Sequence, residues 1–332
     1  MFAPLICLTV LMPAQTQGEI AFLAGTEQED RCVHVLDVAT AELRRVGAGN
    51  RDGEPVWSPD GQWLAFESVR EEGGMGIVVV KADGSDLRML NHRESWNRWP
   101  AWSPDGKRIA YSSGNGLDQR VRVTDLATAQ EAEWGDGKRP MLRPAWRSND
   151  EIVAVGVLGE PGNQTVDLFG VTAQGATPLV ETRGGGEYFE WNPAPGTREN
   201  VLAYESNDGG DREIFVYLPR FGVVDVSNHR DADWNPVWSS DGNWLVFESF
   251  RGGMRGIYRV NPRRILVSPI AADPHWDNWS PSVSPDNEWI AFISNRTGRP
   301  ALHLTSASGG AARVLTTHPL EDLAPAWRPG KK

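Results

Sequence analysis

Pro55-Val56-Trp57-Ser58-Pro59-Asp60-Gly61, Pro100-Ala101-Trp102-Ser103-Pro104-Asp105-Gly106 and Pro236-Val237-Trp238-Ser239-Ser240-Asp241-Gly242 are three copies of one motif. Looser copies centre on Trp146, Trp191, Val283 and Trp327, so the motif returns about every 45 residues. A period of that length belongs to four-stranded propeller blades. Each copy runs into an apolar strand, such as Trp63-Leu64-Ala65-Phe66, Trp244-Leu245-Val246-Phe247 or Trp289-Ile290-Ala291-Phe292. A Gly/Asn/Arg-rich loop, a third strand such as Ile77-Val78-Val79-Val80, a short turn and a fourth strand complete the unit. In Ser-Pro-Asp-Gly the proline pre-sets φ, the aspartate caps the turn and the glycine accepts a positive φ, which predicts a tight hairpin between first and second strands.

Seven motifs enclose only six complete intervals, and the two ends of the chain resolve the difference. Ile20-Ala21-Phe22 reads as a second strand without a motif of its own; Ile20 stands 37 residues before Trp57, as Leu64 stands 38 before Trp102. The C-terminal Pro325-Ala326-Trp327 reads as the missing first strand. The predicted fold is all-β: a seven-bladed β-propeller of four-stranded blades over residues 19–332, closed by a split blade. The chain carries 15 Trp, whose large rings suit packing between blades of short strands.

Residues 1–18 hold no charged side chain, and an apolar run from Leu5 to Met12 precedes Pro13-Ala14-Gln15-Thr16-Gln17-Gly18. This reads as a secretory signal peptide cleaved near Ala14 or Thr16, although no Lys or Arg follows Met1. The run is too short to span a bilayer. The expectation is a periplasmic or secreted protein. With Cys7 removed, Cys32 stands alone as a buried small hydrophobe and no intrachain disulfide forms. The net charge of -11 argues against a nucleic-acid partner.

The Pro-x-Trp-Ser-Pro-Asp-Gly cores, the Leu-Ala-Phe-type second strands and the Ser-x-Arg loops (Ser68-Val69-Arg70, Ser249-Phe250-Arg251) resemble the TolB-type, WD-like propeller repeat. The resemblance spans nearly the whole chain after the leader. It implies the fold more than a function. The TolB proteins carry an N-terminal α/β domain before a six-bladed ring; here a stand-alone seven-bladed ring is expected, so a role in the Tol-Pal envelope system is not carried over.

Ligands of propellers usually meet the face built from fourth-to-first and second-to-third strand loops. On that face the sequence places Arg70, His92, Trp96, Arg98, Trp99, His229, Asp233, Trp234, Arg251, His275, Trp276, Trp279 and His318. Trp and Arg dominate binding hot spots, and Trp also stacks on sugars. Four histidines in comparable loops raise a metal reading, and the oligogalacturonate lyases, also seven-bladed, hold a metal with histidines. Their placement on separate blades favours a structural role, and no metal is assigned. Glu67, Glu205 and Glu248 end their strands at one position; half-buried carboxylates need Arg or amide partners, although a divalent cation in the channel is the alternative use. No Gly-x-Ser-x-Gly elbow, Cys-x-x-Cys or His-Glu-x-x-His occurs. The favoured reading is a non-catalytic extracytoplasmic scaffold, binding a protein or envelope component or a glycan, without a cofactor and without crossing a membrane. The alternative is a carbohydrate-active enzyme, such as a metal-assisted polysaccharide lyase, acting at the same face.

Overall fold

The second and third strands are apolar on both sides because both sides are covered. Leu64, Ala65, Phe66, Ile77, Val79 and Val80 are fully buried. The computed structural model describes residues 16–25, 31–47, 51–69, 74–90, 96–159, 163–179, 189–198 and 200–330. In these residues seven four-stranded antiparallel sheets form a ring, and the only helix is one 3-10 turn at Gly116–Asp118. Most of the leader-like segment, with Arg70 and His92, lies outside the described residues.

Blade 1 is the split one: Glu321–Trp327, Glu19–Gly25, Cys32–Asp37 and Leu43–Arg45. Blades 2 to 7 open with Val56–Trp57, Asn97–Trp102, Met141–Trp146, Glu190–Pro195, Asp233–Trp238 and Asn278–Val283. In blades 2 to 7 the strands lie in chain order, and the first strands, with Glu321–Trp327 of blade 1, touch one another around the ring as its inner wall. The core sits between blades rather than within them. Ala21, Val33, Trp57, Leu64, Phe66 and Val78 join blades 1 and 2, while Ile20, Phe22, Ala291, Ile293, Leu302 and Trp327 join blades 7 and 1.

The predicted hairpin is present. Ser58 Oγ donates to Asp60 Oδ1 at 2.6 Å and accepts from Trp63 N at 2.9 Å. Gly61 follows at φ 67°, Gly106 at 69° and Gly242 at 66°, and Asn287 takes the place at 64°. The motif tryptophans do more than fill space. The indole N–H of Trp57 donates to Ala326 O at 2.9 Å, of Trp102 to Val56 O at 3.1 Å, of Trp146 to Ala101 O at 2.9 Å and of Trp238 to Ala194 O at 2.8 Å. Each bond crosses to the inner strand of the preceding blade.

One motif assignment changes. The motif Trp pairs with the first apolar residue of the second strand, as in Trp146↔Ile152 and Trp238↔Leu245. In blade 5 that partner is Pro195, against Leu202, whereas Trp191 pairs with Glu205. Trp191 therefore occupies the position of Trp234 and Trp279, four residues earlier in the strand, and faces a different environment.

The ring closes as the sequence predicts. Ile20 pairs with Trp327, Ala21 with Ala326, Leu23 with Leu323 and Gly25 with Glu321. Arg44 and Arg328 both bind the Glu19 carboxylate, and Trp327 N donates to Ser282 Oγ of blade 7 at 2.9 Å. Both edges that an open ring would expose are thus paired.

Candidate functional site

Six of the seven inner strands, all but that of blade 2, share a backbone irregularity just before the proline that recurs in each. Trp99, Arg143, Asn192, Asn235, Ser280 and Ala324 have φ of 56°, 49°, 52°, 57°, 50° and 48°. The ladder to the second strand slips at the same place in blades 3 to 7. Such a bulge frees a backbone N–H from the sheet and re-aims the side chain. At three boundaries a glutamate from the preceding blade takes that N–H. Glu67 Oε1 accepts from Trp99 N at 2.6 Å, Glu205 Oε1 from Asn235 N at 2.8 Å and Glu248 Oε1 from Ser280 N at 2.8 Å. Asn192 and Asn235 add side-chain bonds to Glu205 and Glu248, at 2.9 and 2.7 Å. Burial raises the pKa of Glu67 and Glu248, against these hydrogen bonds and nearby arginines. Backbone amides, and Arg212 and Arg255 beside two of them, are the partners these carboxylates have found.

The bulges open onto a central channel. Two hollows of about 450 and 660 Å³ share Glu54, Val56, Arg143, Asn192, Ser280 and Ala324. The larger is also lined by Trp191, Trp234 and Trp279 with Glu205, Arg212, Glu248 and Arg255. Arg255 lies 5.5 Å from the Trp234 ring, 5.8 Å from Trp279 and 5.8 Å from Phe250, with Nη1 3.8 Å from Glu248 Oε2. Arg143 lies 5.4 Å from Trp99 and 5.5 Å from Trp191, and donates to Asn192 Oδ1 at 2.9 Å. Arg98 lies 4.9 Å from the exposed Trp96 and 6.0 Å from Trp99. Arg212 Nη1 is 3.5 Å from Glu205 Oε2, with its side chain 55% exposed. A band of stacked Trp and Arg therefore runs around the mouth from blade 3 to blade 7. The buried Nε atoms of Arg98, Arg143 and Arg255 have no hydrogen-bond partner among the described residues.

The other sequence-predicted residues lie elsewhere in the architecture. Asp233 is fully buried and pairs with Arg251 Nη2 at 2.6 Å, while Arg251 Nε donates to Ser249 Oγ at 2.9 Å. Arg296 repeats this with Asn278 and Ser294, at 2.8 and 3.0 Å. The Ser-x-Arg loops thus brace the start of an inner strand. Beside Asp233, burial raises the pKa of Glu213, which accepts from Ser227 Oγ at 2.5 Å and His229 N at 3.0 Å. His229 Nδ1 lies 3.4 Å from Asp231. His318 stacks on Phe22 with ring centroids 6.3 Å apart, and its Nε2 lies 3.1 Å from Asp322. Backbone N of His275 donates to Asp273, and Trp276 is exposed. Among the described residues no three His, Cys, Asp or Glu side chains converge as metal ligands.

Sequence reasoning missed Trp191, Arg143, Arg212 and Arg255 as mouth residues. A signal existed. Trp191, Glu205 and Arg212 repeat as Trp234, Glu248 and Arg255 with identical spacings of 14 and 7 residues. It is masked by the repeat itself, because Trp191 falls 45 residues after Trp146 and 47 before Trp238, the spacing of a hairpin tryptophan.

The model of the TolB beta propeller domain matches residues 15–138 and 120–330. No curated protein matches the sequence. Among solved structures, TolB from Acinetobacter baumannii is 17% identical with a TM-score of 0.63, covering 94% of this chain and 67% of that one. The β-propeller domain of the Trilobed protease from Pyrococcus furiosus is 14% identical with a TM-score of 0.68, covering 92% of this chain and 96% of that one. Oligogalacturonate lyase from Vibrio parahaemolyticus is 14% identical with a TM-score of 0.61, covering 92% of this chain and 87% of that one. At these identities the likeness shows a shared fold. No helix among the described residues is long and apolar enough to cross a membrane. With matches running through every blade, the chain belongs to the TolB beta propeller domain family and builds that repeat into a ring of seven blades closed by its own two ends.

Proposed function

We propose that this protein is a non-catalytic, extracytoplasmic binding scaffold that holds a protein partner at the channel mouth. The observation that carries this reading is the band of Trp99, Trp191, Trp234 and Trp279 interleaved with Arg143 and Arg255. Trp and Arg are the side chains that contribute most to protein recognition, and a cation between aromatic faces gains strength as water is excluded. The mouth offers hydrogen-bond donors in Arg143, Arg212 and Arg255, while Glu67, Glu205 and Glu248 are each engaged by a backbone amide. A ligand rich in acceptors, such as carboxylates and backbone carbonyls, complements it. The leader-like apolar segment supports an extracytoplasmic location. An acidic sugar chain would satisfy the same donors, which keeps the carbohydrate-active alternative tied to this mouth.

The test is partner capture from envelope extracts with the wild type and a Trp234→Ala/Arg255→Ala variant, checked for folding by thermal melting. The expected result is a loss of at least about tenfold in capture, as for two hot-spot residues. Equal capture by a folded variant overturns this site. Turnover of an acidic polysaccharide, abolished by the same variant, would replace the scaffold reading with an enzymatic one.

A further inference from the structure

The hairpins joining third to fourth strands lie on the side of the Ser-Pro-Asp-Gly turns, opposite the mouth, because strand direction alternates within a blade. In most blades their tips are small or polar: Ala39-Thr40-Ala41 in blade 1, Asp83-Gly84-Ser85-Asp86 in blade 2, Ala127-Thr128-Ala129 in blade 3 and Ser308-Gly309-Gly310 in blade 7. Blades 5 and 6 depart from this with Pro219-Arg220-Phe221 and Pro262-Arg263-Arg264-Ile265-Leu266. Phe221 is 73% exposed, Leu266 71% and Ile265 51%. Arg220, Phe221 and Arg263 line one hollow of about 490 Å³, so the two tips stand side by side. Ile265 sits at φ 50°, where blades 1 and 3 have Ala41 and Ala129. A β-branched residue is strained there, and here the strain is spent on presenting an apolar side chain to solvent.

Clustered, exposed apolar side chains of this size mark an interaction surface. Charge identifies the occupant. The two tips carry three arginines and no acidic residue, on a chain of net charge -11. An isologous contact with a second copy would set these arginines against each other. An anionic lipid surface instead receives both features: apolar tips enter the headgroup layer while the arginines meet phosphates. We propose that the paired tips of blades 5 and 6 dock the propeller onto an anionic membrane surface through Phe221, Ile265 and Leu266 with Arg220, Arg263 and Arg264. Docked this way, the ring turns its mouth away from the bilayer and leaves it open to a partner.

The experiment is flotation of the whole chain with phosphatidylglycerol-containing vesicles and with pure phosphatidylcholine vesicles, at low and high salt. The wild type is expected to float with the anionic vesicles alone and to release as salt rises. Phe221→Ser/Leu266→Ser should weaken binding at least about tenfold, and each of Arg220→Gln and Arg264→Gln about fivefold. All four positions are on tips, so melting temperatures should match the wild type, and Trp234→Ala at the mouth should float normally. Absence of flotation with anionic vesicles, or equal flotation of the folded tip variants, overturns the proposal. So does tip-dependent capture of an acidic protein without any vesicle binding.

Discussion

Glu190 opens the inner strand of blade 5, a place filled by Asp233, Asn278 and Asp322 in the next three blades. It accepts from Leu168 N of blade 4 at 3.2 Å and is 5% exposed. Among the described residues no arginine is paired with it, in contrast to Asp233 with Arg251. Burial, with Asp167 and Asp208 nearby, pushes its pKa up from 4.5 to about 7. The sign of the effect follows from proton counting. Between about pH 4.5 and about 7 the unfolded chain has released this proton and the folded chain still holds it, so stability falls as pH rises through that window. In Glu190→Gln the amide oxygen can still accept from Leu168 N and nothing titrates. Melting temperatures measured from pH 5 to 8 should decline less in the variant than in the wild type, and parallel curves would show that Glu190 is ionised throughout. Glu67, Glu205 and Glu248 also accept a backbone N–H, one that a bulge has released, but each has arginine beside it: Arg98 and Arg143 near Glu67, Arg212 near Glu205 and Arg255 near Glu248.

At the scale of the element, the inner strand is a connector as much as a wall. In blades 3, 6 and 7 its left-handed residue is held by a glutamate of the preceding blade near the mouth, and in blades 2, 3, 4 and 6 its Trp indole reaches the preceding blade near the far end. Trp146→Phe removes the bond to Ala101 O while leaving a ring to meet Arg108, 5.1 Å away, and Trp134, 5.4 Å away. The expected cost is about 1–2 kcal/mol in urea denaturation, the penalty for one unpaired buried carbonyl; an unchanged midpoint would show that the indole N–H contributes only packing. Blades 5 and 7, with Pro195 and Val283 there, have no such bond, and in blade 1 the buried indole N–H of Trp327 has no hydrogen-bond partner among the described residues. These strands also show what was legible in the sequence. Turn chemistry is local, so Ser-Pro-Asp-Gly reported hairpins, blade number and the split closure. Arg212 and Arg255 were not legible as mouth residues, because their meeting with Trp191, Trp234 and Trp279 depends on lateral packing between blades. In the sequence Arg251 and Asp233 look like binding-face groups, since nothing local shows that the arginine folds back onto a buried carboxylate.

For the whole molecule, the two faces carry different chemistry. One gathers Trp and Arg around the channel; the other presents the apolar and basic tips of blades 5 and 6. Both arrangements depend on a ring that is closed, because only closure fixes the distances between blades that are neighbours in space and distant in the chain. In blade 1 the closing strand Glu321–Trp327 is the inner one, with Leu323, Ala324 and Ala326 packed against the buried core of blades 1 and 2. Hydrogen exchange of the native chain, read by mass spectrometry on peptides covering residues 19–25 and 321–327, measures this closure directly. Both segments should exchange as slowly as the interior strand Leu245–Ser249, opening only with the whole ring. Rapid exchange of residues 321–327, with the other six blades still protected, would contradict it.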